Sequence, residues 1–366
     1  MTKTYFTPGR VNLIGEHLDY NGGPVLPAAL TIGITAQFTK HNDNKILLRS
    51  ATHKAYKEID LSDPIEYNTI NDWTNYPLGV INQLKKEGHE VPPCEILFES
   101  NLPEQSGLSS SAAIEVLTGY ALLSQSESHI NLPWLANFCK QVENEFIGLQ
   151  CGIMDQFAVA LGKADNAILL NCGTLEYSYI PFQLNNYRLL ILNSKKPRNL
   201  VQSKYNERKS ECEEALRILQ ATQSVQHLAD ASFSQSELIK DEVIKKRARH
   251  VVTETLRVKE SVKALRFNDL STFGRLMNAS HASLKNDYEV TGFEMDTLAQ
   301  EAQQLKGCLG ARITGGGFGG CAIALVHEDA IPEFKHFLSY KYNAATGLNC
   351  EIYESEIGDG VREIKQ

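Results

Sequence analysis

Residues able to do chemistry concentrate in four stretches of this chain. The densest is "PGRVNLIGEHLDYNGGPVLPAAL", residues 8–30, where Arg10, Glu16, His17, Asp19, Tyr20 and Asn21 fall between glycines and prolines. Carboxylates beside an imidazole suit a polyhydroxylated ligand, because every sugar hydroxyl both donates and accepts. The Gly and Pro content predicts loop backbone throughout. Taken alone, the segment reads equally well as a solvated turn.

The second stretch is "GLSSSAA", residues 107–113. Ile96 and Phe98 alternate before it as in a strand, and Ala113, Val116, Leu117, Tyr120 and Ala121 follow at helical spacing. The first N–H groups of a helix lack internal partners and carry the positive end of its dipole, so such a turn can hold an anion. Three serines exceed what one N-cap needs; their hydroxyls suit phosphate oxygens, and one suits Mg²⁺. This loop has no Lys after its glycine as in a Walker A loop, and it lacks G-x-G-x-x-G. The plain alternative is a tight strand-to-helix connection whose small residues permit close packing.

In "QVENEFIGLQCGIMDQF", residues 141–157, the candidate acids are Glu143 and Asp155. One carboxylate that takes a proton from a hydroxyl and another that completes a magnesium shell are the two acidic roles of phosphoryl transfer. The fourth stretch, "GARITGGGFGGCA" (residues 310–322), has six glycines between Gly310 and Gly320. That backbone can approach a ligand or a neighbouring domain closely, or form a simple Gly-rich hairpin.

Elements must hold these stretches in place. "ITAQFT", "KILLRS", "CEILFES" and "AILLNC" predict strands, with helices around 78–86, 112–124 and 132–145. A further strand, "RLLILNS", leads into charged helices at 201–220 and 237–265; "CLGARITGGGFGGCAIALV" returns to strand character and "NCEIYESEI" predicts a last strand. A chain of 366 residues exceeds one ordinary core. Two domains are expected, 1–180 and 181–366.

The net charge of −8 and pI near 5.7 argue against a nucleic-acid groove or an anionic membrane surface. They leave room for a local anion site. The opening "MTKTYFTPGRVNLIGEH" interrupts any apolar export segment, and no apolar run approaches membrane-spanning length, so a cytoplasmic protein is expected. Eight cysteines without a C-x-x-C pair suit neither a zinc site nor a disulfide framework, and are expected to be buried, reduced thiols.

Together and in this order, "GRVNLIGEHLDYNGG", "GLSSSAA", "CGIMDQ" and "GARITGGGFGG" resemble the galactokinase branch of the GHMP small-molecule kinases, as do "SKYNERKSEC" and "SHASLKNDYEV". The resemblance spans residues 8–325. It implies an α+β fold with an N-terminal ribosomal-protein-S5-like domain, a C-terminal ferredoxin-like domain and an active site between them. The implied reaction transfers the γ-phosphoryl of ATP to the anomeric hydroxyl of α-D-galactose, giving galactose 1-phosphate, the first committed step of galactose catabolism. By the same resemblance Asp155 is the catalytic base with Arg10 beside it, and Glu16, His17, Asp19 and Tyr205 grip the sugar. Gly107, Leu108, Ser109, Ser110, Ser111 and Ala112 cradle the ATP phosphates, and Ser111 and Glu143 hold Mg²⁺. The implied partners are the sugar and ATP, without nucleic acid or membrane, on a monomer.

Two positions depart from the family pattern: Leu18 replaces a threonine and Arg198 a histidine. They bear on which sugar is taken. Related sugar 1-kinases acting on N-acetylgalactosamine, arabinose or galacturonate stand as alternatives, as does a sugar sensor without turnover.

Overall fold

A computed structural model describes residues 2–103, 106–126, 129–197 and 201–365. The first half of the chain runs β1 (Thr2–Asn12), β2 (Pro24–Val25), β3 (Pro27–Lys40), β4 (Lys45–Ser50), β5 (Ala55–Asp60), α1 (Asn75–Lys86), β6 (Cys94–Ser100), α2 (Ser110–Leu123), α3 (Leu132–Val142), α4 (Met154–Leu161), β7 (Asn166–Asn171) and β8 (Tyr177–Pro181). The second runs β9 (Tyr187–Asn193), α5 (Val201–Gln220), α6 (Phe233–Ser236), α7 (Glu242–Arg266), α8 (Leu270–Asn286), α9 (Gly292–Gln304), β10 (Cys308–Ile313), β11 (Cys321–His327), α10 (Ile331–Thr346), β12 (Glu351–Glu354) and β13 (Arg362–Ile364). This is an α+β architecture.

Three sheets organise it, in the orders β13-β1-β3-β6-β4-β5, β10-β11-β9-β12 and β2-β7-β8. In β3, Ile34, Ala36 and Phe38 alternate toward the core, as a half-covered strand requires. Helix α2 packs against β1, β3, α1, α3 and α4. Its Ala112, Ala113, Val116, Leu117 and Ala121 are all buried. Small residues allow this: a Cβ on Gly119 would come within 2.7 Å of the Leu135 side chain. A helix enclosed on several sides cannot slide, so its N-terminus becomes a fixed point for the site.

Several expectations are corrected. Residues 8–30 are not loop throughout: Arg10 sits on β1 and β3 starts at Pro27, leaving 13–23 as the connection around β2. The β1–β3 ladder shifts register between Pro8 and Arg10, where proline offers no N–H to the ladder. The helix expected over 132–145 stops at Val142 and continues as a π-helical turn, Glu143–Ile147. Helix α7 starts at Glu242 rather than 237, capped by Asp241, whose side chain accepts from the N–H groups of Val243 and Ile244. After β12 comes one more strand, β13, which pairs with β1, so the chain's end lies in the first sheet. All eight cysteines are free, but Cys151, Cys172 and Cys308 are only half-buried. No helix among the described residues is long and apolar enough to cross a membrane.

Candidate active site

A cleft of about 810 Å³ opens between residues of the two halves, lined from one side by Arg10, Asp19, Ser109 and Asp155 and from the other by Tyr205 and Gly315. Asp155 sits in the first turn of α4 with a side chain 30% exposed, whereas its partner Arg10 is only 4% exposed. Arg10 donates from Nε to Oδ1 at 2.8 Å and from Nη2 to Oδ2 at 2.7 Å, a two-pronged clamp. Its third arm, Nη1, donates to the Gly107 carbonyl at 2.8 Å, and its backbone N–H donates to the Leu108 carbonyl at 3.1 Å. One arginine therefore ties the carboxylate to the serine loop.

The loop contributes a further donor. Ser109 has φ 61 at the start of α2, and its hydroxyl does not cap the helix. It donates instead to Asp155 Oδ2 at 2.6 Å. Oδ2 thus receives two donors and Oδ1 one, which leaves a lone pair on Oδ1 for an incoming hydroxyl. Because no side chain caps α2, its first N–H groups stay open to an anion. Ser106, Gly107, Ser109, Ser110 and Ser111 line the cleft. Leu108 and Ala112, expected in the phosphate cradle, turn their side chains into the core and can offer only backbone.

Ser111 and Glu143 come together, with Ser111 directing a hydrogen bond onto the Glu143 carboxylate. Cys151 Sγ and Gln156 Nε2 donate to Glu143 Oε2 at 3.3 and 2.5 Å. Burial, and then the charge of Asp155, raises the Glu143 carboxyl above its ordinary range, with these hydrogen bonds acting against the shift.

The expected sugar residues gather in the same cleft. Glu16 is buried, ion-paired with Arg312 and accepts from the Gly315 N–H at 3.1 Å. Burial pushes Glu16 up to about 7, with Arg312 opposing. Arg312 in turn donates to the carbonyls of Asn12 and Leu13 at 3.3 and 3.0 Å, and lies 4.0 Å from the buried Glu254. The His17 ring packs 5.7 Å from Tyr205 and 4.6 Å from Tyr288. Asp19 is pushed up to about 6, first by burial and then by the charge of Asp155. Gly152 lies directly against the Asp19 side chain.

Family models match three parts of the chain: the galactokinase galactose-binding signature over residues 2–40, the GHMP kinases N terminal domain over 75–163 and the GHMP kinases C terminal over 261–344. The galactokinases of Staphylococcus carnosus and Clostridium acetobutylicum are 48% and 47% identical to it, each over 98% of this chain and 94% of the relative. The chain belongs to the galactokinase family of GHMP kinases. A solved galactokinase from Lactococcus lactis, complexed with galactose, superposes with a TM-score of 0.95 at 43% identity, covering 99% of this chain and 95% of the other. The mevalonate kinase of Methanococcus jannaschii, at 22% identity and a TM-score of 0.68 over 98% of both chains, shares the fold.

Among galactokinase-family features, the structure also bears on the two departures. Leu18 is fully buried and does not line the cleft, so its replacement of threonine alters packing rather than the pocket wall. Arg198 lies outside the described residues. Its neighbour Lys195 is engaged by Glu351 at 2.6 Å.

Sequence reasoning missed Arg312, the Ser109 bond to Asp155, and Gly152 as a neighbour of Asp19. A lone arginine in the apolar run "CLGARIT" was the available signal, because such a group is buried only with a partner. The other two have no local signature.

Proposed function

We propose that this chain transfers the γ-phosphoryl group of ATP to the anomeric hydroxyl of galactose, with Asp155 as the proton acceptor. The observation that carries the reading is the clamp on Asp155: three donors orient the carboxylate and leave one lone pair facing the cleft. The sugar hydroxyl donates to Oδ1 and attacks in line while its proton moves to Asp155. Arg10 offsets negative charge near the transferring group, and the open N–H groups of α2 face the ATP phosphates. Glu16, His17, Asp19 and Tyr205 hold the sugar, and the Glu16–Arg312 pair fixes Glu16 before substrate arrives.

Mg²⁺ fits the residues present. Ser111 and Glu143 offer hard oxygen donors in contact with each other, and Glu143 lies among negative charges that a cation would offset. The described residues contain no group of three or more His, Cys, Asp or Glu arranged as a metal cage. The remaining ligands would be phosphate and water oxygens, as magnesium prefers. When bound, the ion neutralises phosphate charge and orients the nucleotide.

The test is Asp155→Asn, which keeps shape but removes the proton acceptor. Turnover measured by ADP release with galactose should fall by roughly 10² to 10⁴, with ATP binding retained in a direct titration. Turnover near wild type would remove Asp155 from this role.

A further inference from the structure

Glu16 and His17 reach the cleft from the connection between β1 and β2, where neither a helix nor a strand sets their direction. The residues on either side of Glu16 both have positive φ, 107 at Gly15 and 64 at His17. A histidine in that region stays there only when its surroundings hold it.

Helix α7, from the other half of the chain, holds this turn. His250, Glu254 and Val258 are spaced four apart, so they stand on one face of α7, and all three are buried. Glu254 Oε1 accepts from the Gly15 N–H at 2.9 Å. His250 Nε2 lies 3.2 Å from the Glu16 carbonyl, and since a carbonyl only accepts, this nitrogen donates. Val258 closes the grip by packing: a Cβ on Gly15 would come within 3.0 Å of Val258 Cγ2 and 3.0 Å of the Pro24 carbonyl. Three successive turns of one helix thus take hold of the backbone just before and just after the Glu16 side chain.

Glu254 is itself fixed by donors whose direction is unambiguous, because a carboxylate between arginines accepts every bond. Arg257 Nε donates to Oε2 at 2.6 Å, and the Ser280 hydroxyl, from α8, donates to Oε1 at 2.5 Å. Arg312, the partner of the Glu16 carboxylate, lies 4.0 Å from Oε1. Glu254 therefore faces both the backbone that leads into Glu16 and the arginine that holds its side chain. Neither Glu254 nor His250 lines the cleft, so neither touches a ligand there.

We infer that Glu254, assisted by His250, is a positioning residue for sugar recognition: it anchors the Gly15–Glu16 backbone to α7, so that Glu16 and His17 meet the sugar already oriented. The inference rests on the sugar-kinase reading for its ligand, but the anchor itself does not. The serine loop and the N-terminus of α2 belong to other elements, so loss of the anchor weakens the sugar and spares ATP.

The test compares the full-length protein with Glu254→Gln, which keeps the shape and removes the charge. The dissociation constant for galactose, from direct titration, should rise about tenfold or more, the size of a hydrogen bond to a charged group, while that for ATP stays within about twofold. An unchanged galactose constant, or an equal loss for both ligands, would overturn the inference. Should Glu254→Gln not fold, His250→Gln and His250→Leu decide. Both lose the ring, but the glutamine amide can restore the donor to the Glu16 carbonyl, so leucine should bind galactose about three- to tenfold more weakly than glutamine. Equal constants in the two would overturn the grip of α7 on Glu16. A readout without ligand is the Gly15 amide proton in ¹H–¹⁵N correlation spectra, expected downfield in the wild type and moved upfield in Glu254→Gln; an unmoved resonance would overturn the anchor whatever the substrate. A wild-type protein that binds no galactose but shows the expected Gly15 shift would refute the substrate and support the anchor.

Discussion

Replacing Gly152 by alanine adds one methyl group at a point where the structure has no room for it. A Cβ built there lies 2.8 Å from the Asp19 Cβ, and the Asp19 carboxyl group is closer still. Gly152 has no positive φ, so an alanine backbone is tolerated and the effect is purely one of space. Non-bonded carbons settle at about 3.5–4.0 Å, so Asp19 must retreat by about 1 Å, taking its carboxylate off the sugar. A displacement of that size costs about 10²-fold, or about 2.7 kcal/mol at 1.36 kcal/mol per factor of ten. The assay is kcat/KM for galactose by coupled ADP release, with the unfolding midpoint measured in parallel. A double-mutant cycle makes the argument specific. In an Asp19→Gly background the carboxyl and the Cβ are both gone, and Gly152→Ala should cost less than about fivefold, a coupling of order 2 kcal/mol. An equal loss in both backgrounds would refute the claim that Gly152 acts through Asp19.

Ser111→Ala and Glu143→Gln should each raise the magnesium concentration giving half-maximal rate; superimposable titrations would remove both from the metal site. Stability should fall on acidification through His250, which burial, against the pull of Glu254, lowers to about 4 from 6.5. Its folded value lies below its unfolded one, so the contribution is complete above about pH 6.5 and is lost toward pH 4, at most about 3 kcal/mol. Glu16 and Asp19, both raised, act in the opposite sense. The difference between wild type and His250→Gln in urea unfolding isolates the term, and equal slopes across pH 4–6.5 would contradict it. In a panel of free sugars, galactose should give the highest kcat/KM. Arabinose lacks the C6 group and leaves polar atoms unpaired at roughly 1–3 kcal/mol. Galacturonate would bring its C6 carboxylate toward Glu16, while Arg312 is already occupied by Glu16. A galacturonate maximum would overturn the sugar assignment.

What the sequence by itself determined is local. The alternation in "CEILFES" and the helical spacing after "GLSSSAA" set β6 and α2 with the serine loop between them, because backbone conformation responds to side chains within a turn or two. The same holds for the residue types at the site: a carboxylate, an arginine and a serine loop could be read as phosphoryl-transfer chemistry before any fold was known. Their ordered motifs also pointed to the family. Where local signals conflicted, reading failed: Pro8 and Gly9 look like loop, yet β1 runs through them, since pairing with β3 outweighs propensity.

Only the tertiary structure decided which atoms meet. Arg10 reaches Asp155 across 145 residues, Arg312 reaches Glu16 across 296, and Tyr20 reaches Tyr288 across 268. Nor does spacing say that Ser109 turns its hydroxyl to Asp155 while Leu108 and Ala112 face the core. These contacts follow from how α2, α4 and β10 pack, and packing minimises the free energy of the whole chain, with buried charges and polar groups driven to partners wherever these lie in sequence. No window of neighbouring residues contains that information.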